Sequence, residues 1–124
     1  MRNDEIAEAW EEAEAALQEH WQGSIDAGLE GITPEVTAEA IALLDAYGKA
    51  LAGLPEPATE AAILAEMERT IVALNDLNER QGGSLIEADE REMVCGFLID
   101  AAVACGLDAE KFEDGDPTYT WREF

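Results

Sequence analysis

The stretch MVCGFLIDAAVAC, Met93 to Cys105, carries one charge, Asp100, in a chain where 29 of 124 residues are Asp or Glu. Acids are spaced through the rest of the sequence, so this stretch has the strongest claim to the interior. Read as a helix it is apolar on most sides, and such a helix belongs in the middle of a bundle. It is far too short to cross a bilayer, which takes about 20 apolar residues. Glu87, Asp89 and Glu90 load its N-terminal end, where the helix dipole favours negative charge. Gly106 followed by Leu107 predicts a Schellman terminus, giving a helix over about Ala88 to Cys105.

A central helix needs neighbours, and three other segments have the pattern to supply them. Ile6, Trp10, Ala13, Leu17 and Trp21 recur at steps of three and four, which predicts a helix from about Asp4 to Gln22. Asn3 is its expected N-cap, and Gly23, Gly28 and Gly31 mark the loop that follows. In ITPEVTAEA, Thr33 caps a second helix, Pro34 takes its first position and Glu35 complements the dipole. Its inner face is Ala40, Ile41, Leu44, Tyr47 and Leu51, and Gly53 with LPEP stops it. A third helix spans about Ala58 to Arg80, with Ile63, Met67, Thr70, Ile71, Leu74 and Leu77 inward and Gly82-Gly83 at its end. Four helices of similar length with short links predict an all-α, four-helix bundle-like single domain over residues 1–124. A chain of this size buries roughly two-thirds of its unfolded surface, so it needs neither metal nor disulfide to hold a core.

The tail, FEDGDPTYTWREF, adds a last element. Asp116 reads as an N-cap and Pro117 as the first helical residue, so Pro117, Trp121 and Phe124 share one face. So short a helix cannot stand alone in water. It is expected to dock its aromatic residues on its own bundle as a short capped turn or helix. The acids of this tail lack the ligand order of a calcium loop.

Charge decides which partners are excluded. The net charge is −22, and residues 3 to 48 hold twelve acids and no Lys or Arg. Such a surface repels nucleic-acid phosphates and anionic membranes and attracts basic proteins. Cys95 and Cys105 lie about 15 Å apart along one helix, against a limit near 7 Å for a disulfide, so they are free thiols. Free thiols, and an N-terminus MRNDEIAEAW without a signal-like apolar stretch, point to the cytoplasm.

The residues of common catalytic constellations are absent or unpartnered. His20 is the only histidine, which excludes Ser-His-Asp, Cys-His and multi-histidine zinc sites within one chain. Near Trp21 at the flank of the first apolar stripe, it reads as a boundary residue. No Glu-x-x-His pair occurs, and the Glu-x-x-Glu spacings at Glu8/Glu11, Glu11/Glu14 and Glu87/Glu90 lack an inward apolar flank. There is no phosphate-binding glycine loop and no nucleophile elbow. Glu92, Gly96 and Asp100 line up at steps of four as a polar strip, expected to be the solvent edge of the fourth helix with Gly96 allowing close packing. Catalytic residues, metal ligands and cofactors are therefore not expected.

The leading functional expectation is a non-catalytic acidic binding protein. By analogy of class, immunity proteins and antitoxins that inhibit a basic, nucleic-acid-acting partner need this electrostatic profile. The expected contact residues are Glu5, Glu8, Glu12, Glu19, Glu35 and Glu39, joined by Trp121 if it stands exposed. Two alternatives accompany it. One is a carboxylate-metal-dependent enzyme acting on nucleotides; the other is a structural or oligomerisation module joined through Trp10, Trp21 or Trp121.

Overall fold

Four α-helices carry the chain in the computed structural model, which describes residues 1–124. They are α1 (Arg2–Asp26), α2 (Pro34–Ala52), α3 (Glu60–Arg80) and α4 (Ala88–Ala104), and no strand is present. The helices are bundle-packed: α1 lies on α4 and α2, α2 on α3, and α4 touches α1, α2, α3 and the C-terminal turn. The apolar segment is therefore packed on three helices and the tail, and keeps one open edge where Asp100 and Val103 are exposed. No helix is long and apolar enough to cross a membrane.

The core gathers 22 buried apolar residues, among them Leu17, Leu44, Leu51, Ile71, Leu74 and Leu98 with no exposure. Each such side chain contributes about 1.5–3 kcal/mol relative to leaving it in water. Tyr47 sits among them with its hydroxyl donating to the Leu98 carbonyl at 2.6 Å and its ring edge-on to Phe97 at 5.8 Å. Burial pushes its phenol far above the ordinary range. Close approach in the core falls at Gly48, where a Cβ would meet Phe97 Cζ at 3.4 Å. Gly96 does not have the close-packing role expected for it, because a Cβ there would meet nothing within 4 Å.

Helix ends differ from expectation where tertiary contacts intervene. Asn3 does not cap α1, which begins before it; its amide donates to the Ala52 carbonyl at 3.2 Å. Arg2 donates to the carbonyls of Ala52, Leu54 and Pro55, so both side chains close the end of α2 instead. At its other end α1 runs through Gly23 to Asp26, because Ile25 extends the buried stripe one more turn. It stops at Gly28 (φ +74°), with Leu29 N–H on the Ser24 carbonyl at 3.1 Å. Helix α3 starts after Thr59, whose hydroxyl accepts from Ala62 N–H at 3.1 Å, and not at Ala58. The Schellman terminus of α4 forms as the sequence predicts. Leu107 N–H reaches the Ala102 carbonyl at 3.1 Å and Gly106 N–H the Val103 carbonyl at 2.9 Å.

The α3–α4 link is drawn into the core by polar groups of two helices. Trp21 Nε1 donates to the Leu85 carbonyl at 2.9 Å, and Asn78 Oδ1 accepts from Ile86 N–H at 2.9 Å. Trp21 is 1% exposed, so it is not available as a subunit contact. Trp10 is half-buried and lies over Phe97 at 5.0 Å.

In the tail, Asp116 caps a single 3-10 turn, Pro117–Thr120, by accepting from Thr118 N–H at 2.9 Å. The turn ends before a helical face can form, so the aromatics are positioned by backbone capture. Asn75 of α3 donates to the Trp121 carbonyl at 2.8 Å and accepts from Glu123 N–H at 2.9 Å. Trp121 and Phe124 pack half-buried against the core, while Tyr119 stays 73% exposed.

Candidate functional site

The charge imbalance can be located residue by residue. Six of the seven Lys and Arg side chains are already held by acids of the same chain; only Arg91 has no such partner. Counting the N-terminus and His20, ten of the 29 acids lie within 4.0 Å of a basic nitrogen, which leaves 19 with none. Most of the acids are therefore uncompensated, and of the Lys and Arg side chains only Arg91 is not occupied.

Glu5, Glu8, Glu12, Glu19, Glu35 and Glu39 are all exposed, yet the fold does not gather them into one patch. On α1, Glu12 borders a cleft of about 250 Å³ with Glu92 and Asp100 of α4 around Gly96. Glu19 borders a second α1–α4 cleft beside His20. On α2, Glu39 turns the other way and meets Arg80 of α3 at 3.3 Å. Trp121 is half-buried on its own chain. No three His, Cys, Asp or Glu side chains converge in a way that could hold a metal ion.

Between the two flanks runs a groove the sequence did not single out. Helices α1 and α2 form an antiparallel hairpin, and their outer surfaces enclose about 580 Å³. Ile25 and Ile41 contribute apolar surface over a buried Trp21, and Glu14 and Asp45 supply carboxylates. Antiparallel packing brings Glu14 to the level of Asp45 and Ile25 to the level of Pro34, so the carboxylates sit at one end, and Gln18, Gln22 and Thr37 are interspersed with Ile25 and Ile41 along the rest. The available signal was Glu14, Gln18 and Gln22 at steps of four beside the Leu17–Trp21–Ile25 stripe. It marked a half-wet edge, but not which helix would lie across it.

His20 bridges helices. Its Nδ1 lies 2.6 Å from Glu90 Oε2 and its Nε2 3.5 Å from Asp89. Glu90 is the one buried acid, and its other oxygen accepts from Glu87 N–H at 2.8 Å at the start of α4. This cluster ties α1 to the α4 N-terminus. A second polar cluster lies under the tail. Burial would raise the Asp116 carboxyl, but the Thr118 hydroxyl and N–H and the Arg122 guanidinium outweigh it and hold it below the ordinary range. Thr118 also covers Cys95, with Oγ1 3.5 Å from Sγ, and burial pushes that thiol up. Cys105 is raised likewise by burial. These thiols are protonated and shielded, the opposite of an activated nucleophile.

Compared with protein-family models, curated proteins and solved structures, the chain matches none.

Proposed function

We propose that this is a non-catalytic acidic binding protein, an inhibitor of the immunity or antitoxin kind acting on a basic, nucleic-acid-acting partner. The observation that carries the reading is the 19 acids without a basic neighbour, set against bases that are nearly all engaged at home. A surface of that kind repels phosphate backbones and steers a cationic protein inward, raising association rates by roughly 10 to 10³. Nucleotide chemistry on carboxylate-bound metal would need several inward-facing acids in one cavity. Glu90 is the only buried acid, and it is engaged by His20 and the start of α4.

The test is capture from native lysate by the immobilised protein at low ionic strength, followed by elution at about 1 M salt, where the screening length is about 3 Å. A basic nucleic-acid-acting protein should be retained, released by salt, and inhibited by stoichiometric addition of this chain. If no basic protein is retained at low ionic strength, the reading is wrong.

A further inference from the structure

We propose that the α1/α2 groove seats one amphipathic helix of the basic partner, with apolar residues against Ile25 and Ile41 and a Lys or Arg reaching Glu14 and Asp45. This rests on the reading of a basic protein partner and adds where and how it binds. The groove has a volume of about 580 Å³ and is open to solvent along its length. From Glu14 to Ile25 it runs about 17 Å along α1, or three helical turns. That is more than the two turns, about 10.5 Å, spanned by helix-in-groove anchors at i, i+4 and i+7.

Charge complementarity identifies the occupant. No Lys, Arg or His lines the groove. Glu14 is half-buried and has no ion-pair partner. Asp45 is shared only with the exposed Lys49 at 2.8 Å, an i, i+4 pair of the weak kind that a better-placed cation displaces. Both carboxylates sit at one end of the groove, so an amphipathic helix with its cation toward one end fits in one direction. Other modes of peptide capture lack their structural requirement. The fold has no sheet edge for strand addition, and the one aromatic ring in the groove, Trp21, is 1% exposed, too little for a polyproline ligand. The α1–α4 cleft around Gly96 is smaller, about 250 Å³, and its rim is three exposed carboxylates.

The full chain is titrated at low ionic strength with a synthetic amphipathic Leu/Lys helical peptide and with a scrambled peptide of identical composition. Binding is read by backbone amide shifts. Shifts should concentrate on residues 14–25 and 34–45, and the scrambled peptide should bind about tenfold more weakly or worse. Ala42→Trp, which fills the groove from its exposed wall, should weaken the amphipathic peptide about tenfold, while Glu68→Gln on the exposed side of α3 changes affinity less than about twofold. Equal binding of both peptides, or shifts spread over the whole acidic surface, overturns the groove and leaves the basic-partner reading standing. Absence of binding by either peptide overturns both. The wild-type shift map decides the matter even if Ala42→Trp perturbs folding.

Discussion

Asn75→Ala tests whether the C-terminal tail is fastened by one side chain. Asn75 is 8% exposed and makes two hydrogen bonds to the tail backbone, at 2.8 and 2.9 Å. Each contributes about 1 kcal/mol net, so their joint loss costs about 2 kcal/mol of docking free energy. That corresponds to a rise of about 30-fold in the population of the opened tail. Cys95 reports the opening, because Thr118 lies over its sulfur at 3.5 Å and the thiol is 8% exposed. Alkylation followed by peptide mass mapping should therefore show Cys95 reacting about 30-fold faster in the variant. Cys105 is the internal clock: it lies about 15 Å along the same helix, with Sγ 3.8 Å from the Leu51 carbonyl. Its rate should stay close to wild type, since it becomes accessible only when α2 and α4 separate. A parallel rise at both thiols would mean that Asn75 supports the whole domain. An unchanged Cys95 rate would refute the clamp.

Two further outcomes follow from single positions. Gly96 and Gly23 are helical, and a Cβ at either meets nothing within 4 Å; Gly96→Ala and Gly23→Ala should each stabilise by about 0.5–1 kcal/mol. Thermal melts should rise by about 2–5 °C per substitution, and a fall at Gly96 would restore its close-packing role. Asp116 has a folded-state carboxyl held below its unfolded value, so its contribution is present above the ordinary carboxylate range and lost as pH falls through the lowered value. Exchange protection of the Thr118 amide should fall as the solution is acidified through that window, with Asp116→Asn abolishing the dependence. Protection that rises with acid would reverse the assigned sign.

Much of the architecture was legible because local signals and the global pattern agree. Thr33-Pro34-Glu35 and the Gly106-Leu107 terminus are set by chemistry within a few residues, and both form as read. The α1 boundaries were not legible for the opposite reason. Asn3 has a good capping side chain, but the open carbonyl of Ala52, 49 positions away in sequence, takes its amide. Gly23 looks like a stop, yet burying Ile25 favours one more turn. The tail shows the same division: the cap at Asp116 is local, whereas its capture by Asn75 joins residues 46 and 48 positions apart. An Asn on the inner side of α3 gives no sign of which backbone it will hold.

The site was harder to read than the fold because a helical wheel separates inside from outside without saying which neighbour adjoins each flank. Glu12 and Glu39 look equivalent as exposed acids on α1 and α2, but one faces α4 and the other pairs with α3. With 29 acids, position on the outside carries almost no information about recognition. Glu14 and Asp45 differ from the rest because they line a groove that also presents Ile25 and Ile41. A cation drawn to Glu5 or Glu8 gains only screened, interchangeable attraction. One that reaches Glu14 and Asp45 also brings apolar surface against Ile25 and Ile41, and that burial depends on the order of residues in the partner, not on its charge alone. General acidity can thus supply encounter, while selectivity has to arise where carboxylates and buried apolar surface meet along one axis.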